Sequence, residues 1–373
     1  MPAKARICIV CPGVYPLFRE GVAASAGGAE AQLMTLGKAL SQQAHEVHFI
    51  VDEFGQSDLE EIDGIMLHKV PLRYMGGSNI HLPVDWFRFT RKLASINADM
   101  HLMKVPRNIL FPLAVYARIR GKKVAYVGQR DVDATQEGAR SVDGVPAYYF
   151  YRWGLFLVNA VIAQTTSQQK CFSESFNRDA IVIPNVVTLP AEQVTEKSDY
   201  VLWVGNSSYR KQPEVFLEIV RALPGIKFRM IMAGSNERPD DAFVSDPAAN
   251  LPNLEYLGFV PFQKIKDEYS NACLFVSTSK SEGFPNTFLQ SWQCGTPVVS
   301  LYVDPDGVID RHGLGVVTGS EQRMVETLRK LMDDANMRQK LAMNSIRYVQ
   351  NHHSLEAIVA QYRSLFHQLG LAT

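Results

Sequence analysis

The chain has 373 residues, 46% of them hydrophobic, and its 38 Lys and Arg balance 38 Asp and Glu, so the formal net charge is zero. This length and hydrophobicity predict two folded domains, and the neutral balance excludes nucleic-acid binding through overall charge. No run reaches the roughly 18 apolar residues of a membrane-spanning helix and no signal-peptide cleavage site follows the N-terminus, so we expect a cytoplasmic protein.

The N-terminal half alternates short apolar runs with amphipathic segments. An apolar run over 6–10 and a long loop precede a predicted helix over 29–40, and a strand pattern follows over 46–51. Further strands are predicted over 99–103, 123–128 and 160–164, with a helix over 111–121. This alternation predicts a parallel sheet with helices on both faces, in a first domain over 1–188.

The C-terminal half repeats this architecture. The polar segment 189–199 contains Pro190 and lacks periodicity, so we interpret it as a linker before a second domain over 200–352. The predicted strands are 200–205, 227–234, 254–258, 274–278 and 296–301, and the predicted helices are 213–223 and 286–293. The tail, 353–373, contains an amphipathic helix over 354–368 with an apolar stripe of Leu355, Ile358, Val359, Tyr362 and Phe366.

One window of the neutral chain is strongly basic. Residues 66–130 contain twelve Lys or Arg and two acids, a net charge of +10. Within it, a helical pattern over 83–96 places Trp86, Phe89, Thr90 and Leu93 on one face beside Arg88, Arg91 and Lys92. Two interpretations stay open: a solvated core helix, or a helix that contacts an anionic membrane.

The five cysteines form no even framework. Cys8 and Cys11 lie in a β-like run without a second pair, so we expect buried thiols rather than a redox or metal site.

Two glycine-containing stretches follow predicted first strands. Gly27-Gly28-Ala29-Glu30 precedes a helix, where glycines allow close backbone approach and helix amides attract an anion, although a flexible turn is the alternative. In the second half, the stretch 204–212 combines a glycine turn with two cations, Arg210 and Lys211, which suit a diphosphate.

The most informative stretch is 281–299. Its acid, Glu282, is followed by glycine, an aromatic residue and proline, and then by a helix that ends at Gly295. Glu282 and the amide of Gln290 are expected to contact hydroxyls of one ligand, and the backbone amides of Gly283, Phe284 and Asn286 lie at the helix start.

These motifs carry a resemblance to a known family. GGAE at 27–30, VGNSSYRK at 204–211, GFVP at 258–261 and EGFPNTFLQSWQCGTPVVS at 282–300 resemble the retaining GT-B glycosyltransferases of group 1. The resemblance includes IPN at 183–185 and spans nearly the whole chain. It implies an α/β fold of two Rossmann-like parallel-sheet domains that face each other across a cleft, with a C-terminal helix that crosses back to the first domain.

The resemblance also implies a site. Lys211 matches the lysine that contacts the sugar donor's diphosphate, Gly28 the loop near the distal phosphate, Glu282 the acid that contacts the donor sugar, and Gln290 the second acid's position at the ribose. The implied donor-binding residues are Gly27, Gly28, Gly205, Asn206, Lys211, Gly258, Val260, Glu282, Gly283, Phe284, Pro285, Asn286, Thr287 and Gln290. The implied catalytic residues are Glu282, Lys211, Arg210, Arg130 and His101.

Three positions depart from the family pattern. Asn206 stands where the family has an arginine, and Arg210 is close enough in sequence to supply that charge. Arg130 occupies the place of the usual acceptor-side histidine, and His101 resembles the first histidine of another family pattern.

The expected activity is metal-independent, retaining transfer of a sugar from a UDP- or GDP-sugar to a glycan or lipid-linked acceptor, without a cofactor. The second half contains no strand-flanked D-x-D motif, Asp131-Val132-Asp133 lies in the other domain, and the nine histidines lack zinc-ligand spacing. Two alternatives stay open: a catalytically silent nucleotide-sugar-binding subunit, and a nucleotide-sugar epimerase of the same fold. A peripheral location at the inner face of a membrane would follow if the basic window binds lipid.

Overall fold

The computed structural model describes residues 5–19, 21–22, 27–72, 82–104, 107–188, 197–235 and 237–371. The chain divides into two compact units, unit 1 with Met1–Val186 and Leu355–Thr373, and unit 2 with Val187–Ser354. Of the predicted linker 189–199, residues 189–196 lie outside the described residues. Its described end is not a free polar segment, because the Lys197 ammonium donates to the backbone oxygens of Ser270 and Cys294 at 2.6 Å.

Unit 1 is built on an eight-stranded sheet. Its strands are β1 Arg6–Val10, β2 Glu46–Val51, β3 Leu59–Ile62, β4 Ile65–Lys69, β5 Met100–Met103, β6 Lys123–Val127, β7 Ala160–Ala163 and β8 Ala180–Val182. Their order is β3-β4-β2-β1-β5-β6-β7-β8, and every neighbouring pair is parallel except β3 and β4. The β3–β4 hairpin has no clear signal in the sequence, because β3 alternates exposed and half-buried residues and lacks an apolar run.

Helices cover both faces of this sheet. They are α1 Tyr15–Phe18, α2 Gly28–Gln42, α3 Leu82–Ile96, α4 Leu110–Ile119, α5 Gln136–Leu157 and α6 Thr166–Phe176. Alternate residues of β1 enter opposite cores: Cys8 and Val10 pack with α3, α4 and α5 residues, whereas Ile7 and Ile9 pack with α2 residues. Because both faces are buried there, the inner strands β1, β6 and β7 are almost entirely apolar.

Unit 2 contains a smaller sheet of six parallel strands. They are β9 Tyr200–Asn206, β10 Lys227–Ala233, β11 Leu254–Gly258, β12 Leu274–Ser277, β13 Val298–Ser300 and β14 Gly315–Val317, in the order β11-β10-β9-β12-β13-β14. Its helices are α7 Pro213–Ala222, α8 Ala242–Ala249, α9 Phe262–Asn271, α10 Asn286–Gln293, α11 Val308–His312, α12 Glu321–Asp333 and α13 Ala335–His352. The predicted α/β architecture with two parallel-sheet domains is confirmed.

The last helix, α14 Leu355–Gln368, belongs to unit 1. Its predicted apolar stripe packs into the core on the α2 face of the sheet, where Ile358, Val359 and Phe366 are buried. Unit 1 is therefore closed by residues from both ends of the chain.

Strand order shows where each unit is built to bind a ligand. From β1 the chain moves first to β2 on one side and later to β5 on the other, and from β9 it moves to β10 and later to β12. Open parallel sheets bind ligands beyond the carboxyl ends of the strands at such switch points. Ligand sites are therefore expected in the loops after β1 and β5 in unit 1, and in the loops after β9 and β12 in unit 2.

None of the described helices combines the length and the apolar composition that crossing a membrane requires.

Candidate functional site

At the switch point of unit 2, two loops bring together one acid and two cations. Lys211 Nζ lies 2.6 Å from Glu282 Oε1, and Arg210 Nη1 forms an ion pair with the same oxygen. Arg210 also donates to the Ser281 backbone oxygen at 3.1 Å. The Glu282 side chain is 10% exposed and that of Arg210 is 31% exposed, so the group is sheltered yet reachable from solvent.

A buried tryptophan positions the lysine. Trp203, in β9, is fully buried, and its indole N–H donates to the Thr278 hydroxyl at 3.0 Å. That hydroxyl donates to the Lys211 backbone oxygen at 2.7 Å. Because Thr278 follows β12, this relay ties the loop after β9 to the loop after β12 and holds Lys211 beside Glu282.

Backbone geometry explains the glycine turn. A Cβ on Gly205 would lie 2.6 Å from Cη2 of Trp203, so a side chain at this position would displace the tryptophan. The Asn206 side-chain oxygen accepts from the Ser208 hydroxyl at 2.7 Å, which closes the turn. Gln212 then adopts a left-handed conformation, φ 49°, before Pro213 starts α7. Asn206 is thus a structural part of the turn.

The charge state of Glu282 follows from its surroundings. Burial raises the pKa of the Glu282 carboxyl, but the Lys211 ammonium and then the Arg210 guanidinium lower it more, and the net shift is downward. The carboxylate is therefore ionised at neutral pH. Two cations against one anion leave a net positive charge within this group, which suits an anionic ligand.

Helix α10 starts at Asn286, four residues after Glu282. No side chain caps its first turn, and Pro285 precedes it. Gln290 is half-buried one turn after Asn286, on the same helical face. Thr287 is half-buried next to Asn286, whereas Gly283 is buried ahead of the helix.

Phe284 is a core residue. It is buried, and its ring centroid lies 4.9 Å from that of His353 and 6.2 Å from that of Trp292. Its side chain therefore anchors the loop that carries Glu282.

The remaining predicted donor-binding residues of unit 2 follow β11. Gly258 adopts φ 60°, a left-handed conformation that favours glycine, and Val260 is half-buried two residues later. Both lie at the carboxyl edge of the sheet, two strands from β9.

In unit 1, the Glu30 carboxylate binds the backbone of the glycine loop that precedes α2. Gly27 precedes α2, and its backbone N–H donates to Glu30 Oε2 at 2.9 Å. A Cβ on Gly13 would lie 3.2 Å from Glu30 Oε1, so Glu30 also lies against the loop after β1. Gly28 is the first residue of α2.

Arg130 lies at the carboxyl end of β6. The Asp133 carboxylate accepts from the backbone N–H groups of Gln129 and Arg130, each at 2.9 Å, and lies 3.8 Å from the Arg130 guanidinium. This cap keeps the arginine backbone fixed and the side chain about one third exposed.

His101 is a core residue. It is fully buried in β5, one ring nitrogen lies 3.2 Å from the Lys123 backbone oxygen, and its ring packs edge-to-face on Tyr116. Burial lowers the pKa of His101 to about 4. The strand turns this side chain into the core, and this position does not support the catalytic role expected for His101.

The sequence analysis missed Lys104. This lysine follows β5 at the switch point of unit 1 and is 2% exposed, and its ammonium donates to the Asn185 side-chain oxygen at 3.2 Å. Its sequence signal is a single charged residue directly after an apolar strand.

Among the described residues, no group of three or more His, Cys, Asp or Glu side chains is arranged to hold a metal ion.

Two family models match the chain, one to each half. The model described as Glycosyltransferase Family 4 matches residues 26–189, and the model described as Glycosyl transferases group 1 matches residues 198–334. An uncharacterized glycosyltransferase from Methanocaldococcus jannaschii is 23% identical over 233 residues, 61% of this chain and 65% of the relative. The matched part of the chain thus spans slightly less than two thirds of that relative's length.

Solved structures have the same fold over almost the whole chain. Sucrose-phosphate synthase from Thermosynechococcus elongatus superposes with a TM-score of 0.78 at 17% identity, covering 99% of this chain and 100% of that one. HepE from Anabaena, solved in complex with UDP-glucose, superposes with a TM-score of 0.72 at 15% identity, covering 98% and 100%. At 17% and 15% identity, these two matches show a shared fold.

Proposed function

This chain belongs to the group 1 glycosyltransferases of the GT-B fold, and we propose that it is a retaining enzyme that uses a nucleoside diphosphate sugar. Unit 2 binds the sugar donor, and unit 1 provides the acceptor side. The acceptor is a glycan or a lipid-linked sugar.

The contact of Glu282 with Arg210 and Lys211 carries this proposal. Both cations lie at the switch point of a parallel sheet, beside the start of α10, where a diphosphate is favoured by charge and by helix amides. Glu282 pairs with both cations through one carboxylate oxygen and offers a carboxylate to sugar hydroxyls. Gln290, one turn into α10, is placed to contact the ribose through its amide.

Cations at the diphosphate perform the work that a metal does in other transferases. As the sugar–phosphate bond breaks, negative charge develops on the leaving diphosphate, and Lys211 and Arg210 stabilise it in place. Retention without a covalent enzyme intermediate requires the acceptor to attack from the face of the leaving group, whose phosphate oxygen then accepts the acceptor's proton. This route needs no side-chain nucleophile, which agrees with the core position of His101.

A UDP- or GDP-sugar is the proposed donor. HepE, a protein of the same fold, was solved with UDP-glucose, which supports a uridine nucleotide as the first candidate. The base would lie near Gly258 and Val260, beyond β11.

The test is a panel of UDP- and GDP-sugars with chelator present, measured by thermal shift and by release of the nucleoside diphosphate. A ligand at about 100 times its Kd stabilises the protein by roughly 2.7 kcal/mol, enough to shift the melting temperature measurably. We expect one donor to stabilise the wild type and to be hydrolysed slowly. Lys211→Ala and Glu282→Ala should lose both effects.

Lys227→Ala is the matched control, because Lys227 is an exposed unit 2 lysine paired with Asp199 at 2.8 Å. Stabilisation without turnover, even with candidate acceptors, favours the silent nucleotide-sugar-binding subunit, for which Arg130 and Gln290 are the motivating departures. Conversion of the donor into an isomeric nucleotide sugar favours the epimerase. A requirement for added metal would contradict the metal-independent route.

For a lipid-linked acceptor we propose that unit 1 contacts an anionic membrane through an aromatic surface, formed by Phe87 on α3 and Trp153 and Phe156 on α5. Phe87 is 66% exposed and Phe156 is 74% exposed. Beneath them Trp86 and Phe150 stack edge-to-face at 4.8 Å. Exposed Trp and Phe beside cations are typical of membrane-surface contact.

This surface is not the one that the helical pattern predicted. Phe89 and Leu93 are fully buried in the unit 1 core, because α3 turns that face toward the sheet. The exposed face instead carries Phe87 with the cations Arg88 and Arg91.

Co-sedimentation with vesicles tests the aromatic surface. The wild type should bind vesicles with anionic lipid and not neutral ones, and the double change Phe87→Ser and Trp153→Ser should abolish binding. Met343→Ser, at an exposed methionine of unit 2, is the matched control. Equal sedimentation of the double variant and the wild type would contradict this contact.

A further inference from the structure

Lys104 is a buried cation at the carboxyl edge of the unit 1 sheet. It follows β5 directly, it is 2% exposed, and its ammonium lies 3.2 Å from the Asn185 side-chain oxygen. A lysine is rarely buried to this extent without a reason, because desolvating an ammonium is costly.

Lys104 contacts the loop after β8, and two further hydrogen bonds connect that loop to the loops after β7 and β6. Asn185 follows β8, and its side-chain N–H donates to the Gln164 side-chain oxygen, after β7, at 2.9 Å. Gln164 in turn donates to the Gly128 backbone oxygen, after β6, at 2.7 Å. A continuous hydrogen-bonded chain thus runs along the edge of the sheet from Lys104 to the segment that carries Arg130.

The charges around Lys104 belong to the other loops of the same edge. Burial lowers the pKa of Lys104 to about 8, while the Glu30 carboxylate and then the Asp133 carboxylate oppose that shift. Glu30 holds the Gly27 backbone N–H, and Asp133 holds that of Arg130. The ammonium is therefore attracted by the two carboxylates that close the glycine loop and the Arg130 loop.

We propose that Lys104 is a positioning residue for the transfer reaction, whose charge holds the loops with Gly27, Arg130 and Asn185 in one arrangement at the unit 1 edge. This inference rests on the proposed transferase function. If Lys104 served only in packing, an apolar side chain of equal length would replace it without loss of activity. If the charge of Lys104 holds the two carboxylates of Glu30 and Asp133 and the amide of Asn185, on three separate segments, the same replacement lowers activity.

The first experiment needs no substrate. Hydrogen exchange is measured by mass spectrometry on the full chain at about pH 7 and about pH 9, corrected for the intrinsic exchange rate. In the wild type, peptides that cover 27–31, 128–133 and 184–186 should exchange faster at the higher pH, because the amine has lost its proton. Lys104→Met should show that faster exchange already at the lower pH, whereas unit 2 peptides should not change.

The second experiment uses hydrolysis of the sugar donor identified by the panel. Lys104→Met should lower kcat roughly 10- to 100-fold, because the loops at the carboxyl edge of the unit 1 sheet lose the arrangement that the reaction needs. The KM for the donor should be nearly unchanged. Wild-type kcat should fall as the pH rises through about 8, and Lys104→Arg, which stays charged, should lack that fall. Lys122→Met is the matched control, since Lys122 pairs with Asp99 at 3.2 Å at the opposite edge of the same sheet.

The outcomes separate the two proposals. If the wild type hydrolyses no donor, the proposed function fails, and the exchange experiment still decides the role of Lys104. If the three wild-type loops exchange equally at both pH values, or if Lys104→Met keeps the wild-type kcat, Lys104 is not a positioning residue. Should the variants fail to fold, the wild-type exchange comparison gives the answer by itself.

Discussion

The carboxyl edges of the two sheets use charge in opposite ways. In unit 2, Glu282, Arg210 and Lys211 form a compact group that solvent reaches. In unit 1, one cation, Lys104, is buried and linked to a chain of neutral amides. The same switch-point geometry therefore serves two purposes: a sheltered group that solvent still reaches, with a net positive charge, favours an anionic ligand, whereas a fully buried charge fixes the protein's own loops.

The largest effect is expected at the charged group. Glu282→Gln keeps the shape of the side chain and removes its charge, so it should lower turnover of the sugar donor roughly 100-fold or more, as loss of a charge-stabilising contact does. Initial rates at saturating donor measure this effect, and the melting temperature shows whether the variant is folded. A rate within a fewfold of the wild type would mean that the unit 2 group is structural, like the unit 1 network.

The buried histidine of unit 1, His101, makes the stability of the protein depend on pH. The folded-state pKa of His101, about 4, lies below the usual 6.5, so the unfolded chain binds the proton first as the pH falls. Wild-type stability is therefore fully present above about pH 6.5 and declines toward pH 4, by up to about 3 kcal/mol.

His101→Leu should lack this part of the decline. Urea unfolding of both proteins at about pH 7 and about pH 5 gives the difference. An identical pH dependence in the variant would show that His101 is not held neutral in the core.

Close packing at the unit 2 edge gives a smaller effect. Gly205→Ala places a methyl group 2.6 Å from Cη2 of Trp203, and should reduce the free energy of unfolding by about 1–3 kcal/mol. Because Trp203 positions Lys211 through Thr278, affinity for the sugar donor should fall as well. Gly225→Ala is the control, since no atom lies within 4 Å of a Cβ there. If Gly205→Ala is as stable as the wild type, the close packing of Gly205 on Trp203, and with it the positioning of Lys211 through Thr278, is contradicted.

The smallest effect is expected at an exposed ion pair. Lys227 and Asp199 lie 2.8 Å apart with most of both side chains in solvent. Solvent screening limits such pairs, so Lys227→Ala should change the free energy of unfolding by less than about 1 kcal/mol. A larger loss of unfolding free energy, measured by denaturant unfolding, would contradict this expectation. Solvent exposure would then not distinguish the surface ion pairs of unit 2 from the pairs at its candidate site.

The sequence by itself determined the architecture and the unit 2 site. Short apolar runs that alternate with amphipathic segments predicted two parallel sheets with helices on both faces. The motifs that contain Lys211 and Glu282 each stand directly after a strand, and parallel strands place their carboxyl ends at one edge. The resemblance assigned both residues to one donor site, and the folded sheet brings Lys211 into contact with Glu282.

Tertiary structure alone decided the unit 1 edge. Lys104 and Asn185 are 81 residues apart, and neither lies in a motif that predicts their contact. His101 and Lys104 are three residues apart on one strand end, yet the histidine turns into the core and the lysine reaches the edge network. The direction of a side chain depends on the register of the strand and on what packs against each face, and those are properties of the folded sheet.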